Sequence, residues 1–281
     1  MTTRYVTAAR LRELSTQLSD RDNALIQRVS DLRFVSGSQL TRLHFAGCPA
    51  RTAREALLRL THLGFLERLP RPIGGVRSGS AGFIYRLGPV GQKLAGELGW
   101  QSKRRLRSEV PGTLFVRHAL QAGELHTLLI EAERSGRLEL LALEAEPACW
   151  RRYGGQQAGT LKPDSYVRLG VGEFEDSYFI EVDMGTEGSR ALDSKLRQYV
   201  EYEASGREQA ERGVFPKVLW TVPDTERAEV IKACVERLPY TAQELFVVAR
   251  FSEAVRLLAD SGAGGGLPDR EKIEVGSRRN T

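Results

Sequence analysis

The sequence predicts a mixed α/β chain in two parts, a winged helix-turn-helix followed by an α/β sandwich, and three observations carry that reading. Apolar residues recur at helical spacing in three short blocks between Ser19 and Gly64, broken by turn residues. From Leu138 to Leu258, strand-like runs alternate with helical ones. The charge also changes sign along the chain: residues 1–110 hold 19 Lys/Arg against 8 Asp/Glu, net +11, and residues 111–281 hold 22 against 28, net −6. A basic half attracts a phosphate backbone through counterion release, whereas an acidic half needs a local reason to approach DNA, such as a metal ion.

A chain of 281 residues with 41% hydrophobic content can build two cores. No apolar run is long enough to cross a bilayer and the first residues, MTTRYVTAARLREL, lack the apolar segment of a signal peptide, so a soluble, cytoplasmic protein is expected. Cys48, Cys149 and Cys234 lie far apart, which excludes a disulfide framework and a zinc site of the CxxC type.

Residues 1–18 are polar with scattered leucines and read as an N-terminal arm or loose helix. The expected DNA-binding unit is 19–98. Behind the N-cap residues Ser19 and Asp20, Leu25, Ile26, Val29 and Leu32 form one helical stripe. Ser36 and Gln39 make a capping box for a second helix, which the Gly47-Cys-Pro49 turn ends. The third helix, ARTAREALLRLTHLG, buries Ala53, Leu57, Leu60 and Leu63 and stops at Gly64. Phe65 to Leu69 and Phe83 to Leu87 have strand composition and flank a Gly-, Pro- and Arg-rich loop, the order of a winged helix-turn-helix. Pro89 to Leu98 is a closing helix.

In that fold the third helix enters the major groove and the loop follows the backbone. Arg51, Thr52, Glu55 and Arg59 project away from the leucine stripe, with Arg54 at its margin, and form the expected recognition face. Arg71 and Arg77 on the wing, with Arg42, suit phosphates. A winged helix also serves as a protein-docking module, so the fold alone leaves both uses open.

Residues 99–112 read as a basic linker containing Lys103-Arg-Arg-Leu-Arg107. The second domain, 113–260, opens with an amphipathic helix over Leu114 to Ser135 that carries Glu124 and Glu131. Strands follow at Leu138 to Leu143, Ala148 to Tyr153, Val218 to Val222 and Leu245 to Ala249, with helices at Ser189 to Ser205, Thr225 to Leu238 and Ser252 to Leu258. Gly154 to Gly159 reads as a flexible loop, and 261–281 as a disordered tail.

The chemistry concentrates in Leu161 to Tyr202, read as strand, turn, strand, helix. Tyr178, Ile180 and Val182 alternate with Phe179, Glu181 and Asp183, so Glu181 and Asp183 leave one face of a strand. Two acids on one face persist cheaply in water or around a cation, and Mg²⁺ favours such oxygens. Lys195, Tyr199 and Tyr202 stand at i, i+4 and i+7 on the following helix. A packed pair of tyrosines with a salt-bridged lysine and a catalytic lysine both suit that spacing.

Pro163-Asp164 followed by the acid-bearing strand resembles the motif of the PD-(D/E)xK nuclease superfamily. The match is partial: Asp183 stands where that family has lysine, giving Glu-Val-Asp in place of Glu-x-Lys. PDSYVRL, FIEVDMGTE and KLRQYVEY together resemble the replication-relaxation family of plasmid and mobile-element proteins, over most of the chain. The resemblance implies a restriction-endonuclease-like sandwich, with Asp164, Glu181 and Asp183 as catalytic residues and ligands of Mg²⁺ or Mn²⁺. It implies Lys195, or else Lys162, as the displaced lysine, and Glu124 or Glu131 as an added acid. A tyrosine relaxase needs clustered histidines, and His44, His62, His118 and His126 are scattered.

Two functions follow. One is a DNA-binding protein of a plasmid or mobile element, acting in replication, relaxation or transfer, whose second domain is a divergent nuclease scaffold. The other is an active metal-dependent endonuclease delivered by the winged helix. The expected partners are double-stranded DNA, a second copy of the chain and replication or relaxosome proteins, with no membrane.

Overall fold

The computed structural model describes residues 6–69, 82–100, 112–154 and 159–261. The expected wing, most of the basic linker and the expected tail fall outside the described residues.

Five helices and a small sheet make the first half: α1 (Ala8–Ser15), α2 (Asp20–Leu32), β1 (Val35–Ser36), α3 (Gly37–His44), α4 (Ala50–His62), β2 (Leu66–Leu69), β3 (Ile84–Leu87) and α5 (Pro89–Glu97). The caps sit where their chemistry requires. Ser19 closes a capping box with Asp22 on α2, and Ser36 closes one with Gln39 on α3, so each pair satisfies two helix-end N–H groups. Residues 7–15 do not form a loose arm. Thr7 caps α1, and Leu11 and Leu14 are buried in the same core as Leu25, Ile26, Leu40, Leu57 and Leu60.

β1, too short to read from sequence, joins β3, and β3 pairs antiparallel with β2. Helix α5 can settle on β2 because Gly88 and Gly91 carry no side chain. A Cβ on Gly91 would lie 2.2 Å from the carbonyl oxygen of Phe65, and one on Gly88 would lie 2.4 Å from that of Gly64.

The second half runs α6 (Thr113–Arg134), β4 (Glu139–Ala145), β5 (Arg151–Tyr153), β6 (Gly159–Leu161), β7 (Ser165–Val171), β8 (Phe174–Val182), α7 (Ser189–Ala204), α8 (Arg207–Arg212), β9 (Lys217–Val222), α9 (Thr225–Val235), α10 (Tyr240–Gln243), β10 (Phe246–Arg250) and α11 (Phe251–Asp260). Ala148 to Trp150, expected in a strand, form a turn, and Gly159, expected in a loop, begins β6. The main sheet has the order β10-β9-β8-β7-β4; β8, β9 and β10 are parallel, and β7 and β4 join antiparallel. This is a mixed α/β sandwich.

Alternation along β8 assigns its faces. Tyr178, Ile180 and Val182 pack with Leu125 and Leu129 of α6 and Leu258 of α11, while Phe179 packs with Leu196, Tyr199 and Tyr202 of α7 and Ile231 of α9. Helix α6 also reaches back to the first half, where Val116 and Ala119 cluster with Phe34, Leu69 and Ile84. One helix therefore splints both parts.

Candidate functional site

The acids meet where β7 and β8 run side by side. Asp164 precedes β7, and its backbone N–H bonds the carbonyl of Ile180. Its side-chain Oδ2 accepts the N–H of Val182 at 2.7 Å and faces Nε2 of His118 on α6 at 3.1 Å. The hydrogen bond to Asp164 raises the His118 pKa above its ordinary value, against the opposing pull of burial.

Glu181 lies one residue before the end of β8, on the face that α7 covers, and is 1% exposed. Helix α7 caps it from two positions a turn apart: the Tyr199 hydroxyl donates to Oε1 at 2.5 Å and Nζ of Lys195 lies 2.7 Å from Oε2. Burial pushes the Glu181 carboxyl up to about 7, Lys195 opposing and the nearby Asp164 charge reinforcing it. For Lys195, burial would lower the pKa, but the charges of Glu181 and Asp164 outweigh it and raise it, so the ammonium stays charged. Its nitrogen also sits 5.6 Å from the centre of the Trp220 ring. Lys162, the other candidate lysine, is exposed and lies over Trp150 instead.

Asp183 follows Glu181 by two residues, as the period-2 strand demands, but its carboxylate turns to Arg227 of α9. Two hydrogen bonds of 2.8 and 2.7 Å form a fork, and Oδ1 also accepts the N–H of Gly185. Asp183 thus fastens the loop that leads from β8 to α7. Among the described residues, no group of three or more His, Cys, Asp or Glu side chains is placed to hold a metal ion. Oδ2 of Asp164, Oε1 of Glu181 and both oxygens of Asp183 accept from protein donors and Oε2 of Glu181 faces the Lys195 ammonium, a set that does not fit the Mg²⁺ or Mn²⁺ site expected from the sequence.

A cleft of about 380 Å³ opens beside these residues, lined by Phe115, Arg117, His118, Asp164, Lys195 and Trp220 among others. A second, of about 320 Å³, lies across Lys195 and is lined by Lys162, Glu181, Ser194 and Gln198. Lys195 lines both.

The expected DNA face divides. On α4, Arg51, Arg54, Glu55 and Arg59 are exposed and Thr52 is half-buried, while Ala53, Ala56, Leu57 and Leu60 face the core. Arg51 pairs with Glu55 at 2.6 Å, both in solvent, where such a pair holds weakly. Arg59 instead contacts both oxygens of Asp22, a largely buried capping residue of α2. Arg42, expected on phosphates, faces α6: it bonds Glu131 twice, at 2.8 and 2.5 Å, and Glu124 at 2.5 Å. That triad also keeps Glu124 and Glu131, the acids proposed from the first helix of the second half, at the α3–α6 seam. Arg71 and Arg77 lie outside the described residues.

Three participants escaped the sequence reading. His118 and Arg227 come from helices remote in sequence, with no local signal. Arg33, at the end of α2, bonds Glu146 at 2.9 Å and stacks its guanidinium 4.8 Å from the Phe115 ring, a second tie between the halves.

A helical half with a small sheet, tied through α6 to a half whose five-stranded mixed sheet carries a carboxylate–lysine cluster, defines a mixed α/β protein. Residues 26–218 match the Replication-relaxation family, and the chain belongs to that family. Among curated proteins none matches. Among solved structures, restriction endonuclease FokI is similar at 12% identity and a TM-score of 0.29, covering 85% of this chain. This chain spans 44% of the length of that structure. No helix among the described residues is long and apolar enough to cross a membrane.

Proposed function

We propose that this protein binds double-stranded DNA of a plasmid or mobile element through a winged helix-turn-helix in its first half, acting in replication, relaxation or transfer. Its second half serves as a divergent, restriction-endonuclease-like scaffold. The observation that carries this reading is the outward face of α4, where Arg51 and Arg54 are exposed on the third helix of a trio followed by β2 and β3, in the half with net charge +11. Phosphates can compete with Glu55 for Arg51, because an exposed ion pair is worth at most about 1 kcal/mol. The engaged carboxylates of the second half support binding over cutting.

A second reading, a metal-dependent endonuclease, is favoured by the convergence of Asp164, Glu181 and Lys195 at adjoining clefts. It requires a cation to displace Lys195 or Tyr199 from Glu181. Incubating labelled linear and supercoiled DNA with the protein and Mg²⁺ or Mn²⁺, beside Glu181→Ala, separates the two. A mobility shift without nicking is the expected result. Nicking that vanishes in the variant establishes the endonuclease, and absence of any shift on a randomised pool of duplexes returns the first half to a protein-docking role.

A further inference from the structure

We propose that Lys195 takes the place of a divalent cation beside Glu181 and Asp164, so that the site is complete without a metal, and that removing its ammonium turns the site into one that binds Mn²⁺ or Mg²⁺. This extends the reading of the second half as a scaffold that does not cut.

The argument is one of charge and of donors. Glu181 is 1% exposed, and a buried carboxylate requires a compensating charge. The Lys195 ammonium supplies it at 2.7 Å, and the Tyr199 hydroxyl takes the remaining oxygen. Oδ2 of Asp164 is shared by the Val182 N–H and His118. Asp183 is neutralised by Arg227 and adds no free negative charge. With Lys195 present, a dication would bring two positive charges to a pair of acids that already face the Lys195 ammonium and the His118 ring. Hard cations also need several oxygens, and those of Glu181 and Asp183 and Oδ2 of Asp164 already face protein partners.

Shortening Lys195 removes the ammonium from Oε2 of Glu181, while Tyr199, the Val182 N–H, His118 and Arg227 stay in place. Two acids then share a site with little compensation, the condition under which carboxylates either take up a proton or gather a cation. Because Lys195 lines both clefts, its removal also enlarges the space beside Glu181 for an ion that keeps several waters.

The test uses the full chain as wild type, Lys195→Ala, Lys195→Ala/Glu181→Gln and Glu181→Gln, titrated with Mn²⁺ in the absence of DNA. The melting temperature is followed by calorimetry and bound ion by the Mn²⁺ paramagnetic resonance signal. The wild type should show no saturable binding up to about 10 mM, whereas Lys195→Ala should gain a saturable site and a melting rise of about 2 °C or more. The double variant should lose both. Saturable binding by the wild type that disappears in Glu181→Gln overturns the proposal, as does Lys195→Ala binding no more ion than the wild type. If Lys195→Ala does not fold, Lys195→Met removes the charge while keeping an apolar stem against Trp220, and the same two outcomes decide. Absence of DNA binding in a separate mobility shift would count against the function proposed above and leave this result standing.

Discussion

Arg42 of α3 and Glu131 of α6 form a two-pronged ion pair across the seam between the halves, with nitrogen–oxygen distances of 2.8 and 2.5 Å. Around it, Glu124 takes the remaining prong, the Gln39 amide donates to the Leu120 carbonyl at 2.9 Å, and Arg134 donates to the carbonyls of Arg42 and Leu43. The second helix of the α2–α4 trio is thereby clamped to α6, the first helix of the second half. Arg42→Ala removes a fork that is about one-third exposed, so screening limits its worth to about 1–2 kcal/mol. The melting temperature should fall by about 2–8 °C, and hydrogen exchange should quicken in α3 and the middle of α6. Unchanged exchange at the seam would show that the remaining ties, the apolar packing of Val116 and Ala119 and the Arg33–Glu146 pair among them, hold the halves without Arg42.

Reversing charge on the outward face of α4 separates DNA contact from stability. Arg51 and Arg54 touch nothing in the core, so Arg51→Glu/Arg54→Glu should melt within about 2 °C of the wild type, as surface substitutions usually do. Its affinity for duplex DNA should fall by about tenfold or more, and the dependence on salt should flatten as fewer counterions are released. Equal affinity in the variant would move the DNA contact off this helix.

The helices of the α2–α4 trio were legible in the sequence because their determinants are local. Ser19 as the N-cap of α2, Ser36 with Gln39, and the leucine stripe of α4 state their own geometry within one turn. The two-residue strand β1 was not, since it exists only because β3 is there to receive it. The acid site was half legible. Period-2 alternation placed Glu181 and Asp183 on one face, and i,i+4 spacing placed Lys195 and Tyr199 on one face of the next helix, but neither pattern says what lies opposite. Arg227, 44 residues beyond Asp183, decides that Asp183 is a fastener. Arg42 carried the same ambiguity, as an arginine on a helix face reads alike whether DNA or Glu131 awaits it.

Removing Arg227 should be more damaging than removing an exposed arginine. The Asp183 side chain is 2% exposed and that of Arg227 12%, so Arg227→Ala strands a buried carboxylate, at a cost of about 3–5 kcal/mol. Asp183→Asn/Arg227→Gln, which leaves no unpaired charge, should recover part of that loss. Chemical denaturation of the two variants measures it. If the double variant is the less stable, the loop from Asp183 to Gly188 depends on the fork itself and not on charge neutrality.

The pH dependence of stability tests whether burial or Lys195 governs Glu181. Burial raises the Glu181 carboxyl from 4.5 to about 7 in the folded chain, so the native state holds this proton more tightly than the unfolded state does. Stability from this source is complete below pH 4.5 and is lost as pH rises to about 7. Glu181→Gln, neutral throughout, lacks that slope, while the lowered pKa values of His44 and His126, to about 4 and 3, act alike in both proteins and cancel. The stability of wild type relative to Glu181→Gln should therefore decline across this window, by about 3 kcal/mol if the full shift is expressed. Calorimetry at several pH values on both proteins measures it. A difference that stays flat or grows with pH would mean that the Lys195 ammonium keeps Glu181 ionised within the fold.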